Sequence, residues 1–140
     1  MRLTVRLAAS LGVLLSLAAC ATSQPSETAC PDGQQRLRTA QLFFGRNIDG
    51  KPGVSEAAFA KFVDEELTPR FPDGLTVLEG GSQWRGPENK LIRESAKIVL
   101  IVLPKRGASI ERVEAARAAY KVRFNQESVV LITQPGCVSF

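Results

Sequence analysis

An α+β fold with the element order β-α-β-β-α-β is what this sequence predicts, on three observations. Two stretches repeat apolar residues at helical spacing behind a serine suited to capping. Four β-prone runs flank them, and glycine, proline and asparagine mark the junctions. The 140 residues, 44% of them apolar, suffice for one domain with a real core and little besides. The order is the split-βαβ plan of ferredoxin-like folds, a four-stranded antiparallel sheet with two helices on one face. In that plan the fourth strand lies beside the first and the first beside the third. The dimeric α+β barrel is a relative in which two such sheets pack face to face.

The elements follow in order. Strand one is Arg36 to Gly45, and Gly45 to Gly53 (GRNIDGKPG) is loop chemistry. Helix one begins after Ser55 as N-cap, with Glu56 in the first turn and Val54 stapled to Phe59. Phe59, Phe62, Val63 and Leu67 form its apolar stripe, and Thr68-Pro69 ends it, because a residue before proline is pushed out of the helical region. Pro69 to Gly74 is a rigid turn in which Arg70 is placed to pair with Asp73. Strand two is Leu75 to Arg85, bulged at Gly80-Gly81, and Gly86 to Asn89 is a hairpin turn. Strand three, Lys90 to Leu103, is apolar on both faces in its second half. Helix two starts at the cap Ser109 and buries Val113, Ala116, Tyr120 and Phe124; strand four is Glu127 to Thr133, ended by Pro135-Gly136.

This topology brings Cys30, six residues before strand one, to the same edge as Cys137, four residues after strand four. A Cys30–Cys137 disulfide is therefore expected. The alternative is a pair of free or redox-active thiols, although neither has a CxxC neighbour.

The N-terminus is a targeting segment. Arg2 and Arg6 precede an uncharged run from Leu7 to Ala21, 15 residues long, short of the ~20 that a spanning helix needs. It closes in Leu17-Ala18-Ala19-Cys20, which resembles a bacterial lipobox, so residues 1–19 read as a lipoprotein signal peptide and Cys20 as the lipidated residue. An ordinary signal peptide with an incidental Cys20 is the alternative. Ala21 to Ala29 is a polar tether of at most roughly 30 Å. Residues 30–140 are then a single domain held near the bilayer, on the periplasmic side of the outer membrane, where two acyl chains give durable attachment.

Composition removes several functions. With no histidine, the usual neutral-pH base and the commonest metal ligand are missing, and no phosphate loop or nucleophile elbow appears. No catalytic residue, metal or cofactor is assigned. The full chain has 18 Lys+Arg against 14 Asp+Glu; without Arg2 and Arg6 that becomes 16 against 14, or +2, too little for a nucleic-acid binder.

Two surfaces remain. The sheet face away from the helices is apolar in strands three and four, where a solvated face would alternate. Either a second copy covers it, or the C-terminal tail Val138 to Phe140 or a loop does so within one chain. The end of the sheet far from the tether gathers Arg46, Trp84, Arg85, Arg93 and Arg123, suited to a small anion or an envelope protein beside a stacking aromatic; a solvated rim with Trp84 folded into the hairpin is the plainer alternative. Glu94, two residues short of adjoining Lys97 on one strand, reads as half of a structural ion pair.

Leu42-Phe43-Phe44-Gly45-Arg46, Thr68 to Thr76 (TPRFPDGLT), Gln83-Trp84-Arg85-Gly86 and Glu94-Ser95-Ala96-Lys97 resemble the motifs of a bacterial domain-of-unknown-function (DUF) family of small predicted lipoproteins. Tyr120-Lys121, Arg123-Phe124 and Gln126 to Val129 continue the resemblance, which spans about Arg38 to Thr133. It implies no activity, but it marks Arg46, Arg70, Asp73, Trp84, Arg85, Glu94 and Lys97 as motif residues. Two functions follow as expectations. The first is an anchored, non-catalytic binding module that pairs through its open sheet face; the second is a cofactor-independent enzyme of the dimeric α+β barrel type. A polar group in the shared cavity, Gln41 or Lys97, would favour the enzyme.

Overall fold

The computed structural model describes residues 29–107 and 109–140. The expected signal peptide, the lipidation expected at Cys20 and the expected tether up to residue 28 lie outside the described residues. Strand β1 (Gln35–Gly45) leads into a short hairpin, β2 (Asn47–Ile48) and β3 (Lys51–Pro52), then helix α1 (Glu56–Phe62). Strands β4 (Thr76–Arg85) and β5 (Leu91–Leu103), helix α2 (Ser109–Phe124) and strand β6 (Val130–Val138) complete the order. The main sheet runs β4-β5-β1-β6, antiparallel throughout, which is the expected ferredoxin-like arrangement.

The core lies between the sheet and its two helices. Alternation in β1 sends Ala40, Leu42 and Phe44 inward, and β5 adds Val99, Ile101 and Leu103. Phe44, Phe59, Phe62, Tyr120 and Phe124 interlock above them, Phe44 edge-on to Tyr120 with centroids 4.6 Å apart. Edge-to-face pairs put positive ring edges on negative ring faces, and each adds about 0.5–1.5 kcal/mol to area burial. Cys30 and Cys137 are bonded across the start of β1 and the end of β6, with Cα atoms 5.4 Å apart. Among the described residues, the core, the sheet and the disulfide that hold the fold together all lie within residues 29–140.

Several local expectations need correction. The first loop contains the β2–β3 hairpin, because Asp49 and Gly50 both take positive φ (51° and 76°), as a two-residue turn requires. Ser55 caps α1 as expected, its Oγ accepting from Ala58 N at 3.1 Å. The helix then widens into one π-helical turn, Val63–Leu67, and Thr68 keeps helical φ/ψ although proline follows. The wider Thr68 N to Val63 O bond, 2.8 Å, closes the end there.

Ser109 is the first residue of α2 instead of its cap, and its Oγ donates to Pro104 O at 3.0 Å. The helix ends in a Schellman motif, with Asn125 at φ 48° and Gln126 N bonded to Lys121 O. No bulge occurs at Gly80-Gly81, where the β4–β5 register is continuous. A Cβ on Gly80 would lie 2.8 Å from Ile98 Cδ1, so glycine there makes room for Ile98. Strand β6 starts later than expected and runs through Pro135-Gly136. It is an edge strand with one neighbour, β1, so Pro135 has no second ladder to interrupt.

One feature matters for function. The last β1–β5 pair is Gly45↔Ala96, yet β4 and β5 stay paired to Arg85↔Leu91. Beyond Gly45 the Arg46 N–H still reaches Ser95 O, at 3.2 Å. The rest of the hairpin, five pairs from Gly81↔Ser95 outward, forms a two-stranded arm.

Candidate functional site

At the root of the arm, on the helix side, four charged groups form a chain. Lys97 on β5 faces α1 and pairs with Glu56 Oε2 at 2.5 Å and with Glu79, its cross-strand neighbour. Glu56 also pairs with Arg46. The Lys97 side chain is only 6% exposed, while Glu56 and Glu79 are 64% and 69% exposed, so the ammonium lies under two hydrated carboxylates. Its Nζ also lies 5.9 Å from the Phe59 ring centroid. The hydrogen bond to Glu56, then that to Glu79, raises the Lys97 pKa, and the Lys97 hydrogen bond is the chief cause holding the Glu56 carboxyl low. Close by, the Tyr120 hydroxyl donates to Gly45 O at 2.8 Å, and burial pushes its pKa up.

Arg46 is a structural staple. Its Nε donates to Val54 O at 2.8 Å, and its carbonyl accepts from Gly53 N and Val54 N, both at 2.9 Å. The other expected contact residues are each committed elsewhere. Arg123 pairs with Glu65 at 2.8 Å, Arg93 donates to Gln83 Oε1 at 2.8 Å, and Arg85 donates to Asn89 O at 3.0 Å. The guanidinium groups therefore point to separate partners. Arg70 pairs with Glu66 at 2.6 Å, one helical turn back, and not with Asp73. Glu94 does not pair with Lys97, because residues three apart on a strand point to opposite faces; its Oε2 accepts from Asn47 N at 3.2 Å. The reading of Glu56 as a mere first-turn acid missed its role, and Glu79 was missed altogether. A four-residue turn over Gly86–Asn89 would set Glu79 opposite Ala96; the observed register, one residue longer through the turn, sets it opposite Lys97, so only the structure shows the pair.

The open sheet face is the second candidate. Alternation and register place Thr76, Leu78, Gly80, Ser82 and Trp84 of β4 on it, with Ile92, Ala96, Ile98, Leu100 and Val102 of β5. From β1 and β6 come Leu37, Thr39, Gln41, Phe43, Val130, Ile132 and Gln134. Glu94, turned toward Asn47, is the one charged side chain among these strand positions. Val130 is 55% and Trp84 43% exposed; the tail leaves the face open, with Phe140 93% exposed. Gln41 makes no side-chain hydrogen bond among the described residues, and Lys97 belongs to the other face. At the tether end the face holds a groove of about 1000 Å³, lined by Leu37, Gly74, Leu75, Leu100, Val102 and Phe140 among others. Among the described residues no group of three His, Cys, Asp or Glu converges as a metal site, and no helix is long and apolar enough to cross a membrane.

A family model described as "Protein of unknown function (DUF3574)" matches residues 39–140. The chain belongs to the DUF3574 family. The DUF3574 match includes every motif block quoted from the sequence. No curated protein sequence matches the chain. Among solved structures, this DUF3574 chain is similar to a phage SAM lyase in complex with S-methyl-5'-thioadenosine. The identity is 16%, with 82% of this chain and 96% of that one covered and a TM-score of 0.57. The lyase in its apo state gives 17%, 82%, 97% and 0.57. CutA from Synechococcus elongatus aligns at 10% identity over 74% of this chain and 80% of its own, with a TM-score of 0.49. The lyase likeness shows a shared fold.

Proposed function

We propose that this chain is a membrane-anchored periplasmic lipoprotein of the outer membrane whose domain is a non-catalytic interaction module, pairing through its open sheet face. The observation that carries the pairing is that face: four strands wide, apolar in its middle, without a charged group there, and left uncovered by the chain's own tail. Soluble domains rarely leave so continuous an apolar surface to water. Leu17-Ala18-Ala19-Cys20 and the tether support the anchor, and a disulfide suits an oxidising compartment.

Gln41 favours a second reading. It is an unpaired amide in the middle of the apolar face, and two faces closing over it would enclose a polar group in a dry cavity. That arrangement suits a cofactor-independent enzyme of the dimeric α+β barrel type acting on a small apolar substrate. The fold accommodates an enzyme, since the phage lyase shares it.

Light scattering on residues 29–140 under oxidising conditions tests the pairing. A dimer is expected, and a monomer at every concentration overturns both readings of the face. Mass spectrometry of the chain extracted from membranes tests the anchor: an acylated Cys20 at the N-terminus is expected, and an unmodified N-terminus overturns it.

A further inference from the structure

The arm and the groove stand at opposite ends of one β4–β5 ladder and open onto the same face. The arm's open-face side carries Trp84 and Ile92, opposite each other in the ladder, with Ser82 and Glu94 nearer its root, where Glu94 is turned toward Asn47. Its cations sit elsewhere: Arg93 faces the other side, bonded to Gln83, and Arg85 bonds the turn at Asn89. A two-stranded ribbon alone is only marginally stable in water, so an arm this long with an exposed tryptophan calls for a surface to lie on.

The groove supplies one of the right chemistry. Leu37, Leu75, Leu100 and Val102 give it apolar walls, and Gly74, with no side chain, leaves room beside them. Asp73 and Lys105 at its margin match the arm tip, which bears Arg85 and Lys90 with Glu88 between them. A two-fold axis running across the strands sets the arm of each copy over the groove of the other, giving two identical contacts in a closed pair.

The areas agree. Outside the arm the four strands hold 33 residues, which at ~3.3 Å rise and ~4.8 Å spacing present about 520 Å², and the ten strand residues of the arm add roughly 160 Å². The total, about 680 Å² per copy, lies within the roughly 600–1,000 Å² per partner of standard stable interfaces, which the sheet face alone falls short of.

We infer that the partner on this face is a second copy of the chain, clasped by the β4–β5 arm, with Trp84 seated in the tether-end groove of that copy. The inference rests on the face-pairing reading and goes further in naming the occupant and the seat.

Trp84 is the single tryptophan, so intrinsic fluorescence reports it directly. On dilution of residues 29–140, its emission should shift to the red in step with the loss of the dimer seen by light scattering. A dimer whose tryptophan emission stays that of a water-exposed indole overturns the clasp and leaves the face pairing standing; a chain monomeric throughout overturns both. A mixing experiment gives a second test. Trp84→Ala removes the arm's anchor and Thr39→Arg puts a charge in the groove, and each alone should weaken pairing about thirtyfold, as loss of a buried aromatic anchor does. A mixed pair keeps one intact arm and one intact groove, so mixing the two variants should restore association beyond either alone. Restoration also shows that both variants are folded, whereas a mixture that pairs no better than its components overturns the inference.

Discussion

Replacing both members of the Cys30–Cys137 bond, as Cys30→Ala with Cys137→Ala, removes a cross-link between residues 107 apart in sequence. In the chain-entropy account a loop of that length lowers the entropy of the unfolded chain enough to stabilise the fold by about 4.8 kcal/mol at 25 °C. A domain of this size has about 5–15 kcal/mol of stability in all, so the loss is a third or more of it. The bond sits where its absence is felt, tying the entry to β1 to the end of β6, an edge strand with one neighbour. Urea unfolding of the oxidised chain and the double variant measures the loss. The oxidised form should also show the smaller m, because its cross-linked unfolded state exposes less surface. Equal m values with a loss below about 1 kcal/mol would refute the reasoning, since both effects come from the same constraint.

Tyr120→Phe should cost about 1–2 kcal/mol in urea unfolding, because it leaves the Gly45 carbonyl without its 2.8 Å donor while keeping the ring packing; a neutral result would mean that water replaces the hydroxyl. Stability should hold level at neutral pH and fall on both sides. The lowered Glu56 pKa contributes stability present above the usual value of 4.5 and lost as pH falls through the folded value. The raised Lys97 and Tyr120 values contribute stability present below 10.5 and 10.0 respectively and lost as pH rises. Unfolding midpoints measured across pH check this, and stability that climbs above pH 10 would contradict it.

The polar site was less legible than the fold. Arg46, Glu56 and Lys97 are all conspicuous in the sequence, where they read as parts of an anion rim, a helix dipole and a local pair. Their real partners are 10 and 41 residues apart, and such distances are set by how α1 lies on the sheet. Arg93 and Arg123 likewise kept their places on β5 and α2 while turning to Gln83 and Glu65. Side chains as long as arginine choose among several neighbours, and only the packed structure supplies those neighbours. Trp84 was legible as a hairpin residue but not as part of an arm, because the arm exists only where β1 stops and β4 and β5 continue.

Element order, sheet arrangement, the N-cap of α1, the core stripes and the Cys30–Cys137 partnership are all legible in the chain alone. These follow from periodicity, turn chemistry and the antiparallel plan, all of which act over a few residues or through topology alone. That Lys97 lies under two carboxylates, that the tail leaves the sheet face open, and that arm and groove share that face came only with the packed fold. Each of these depends on which surfaces meet or fail to meet once the helices have covered one side of the sheet, and contacts between residues distant in the chain carry no local signal.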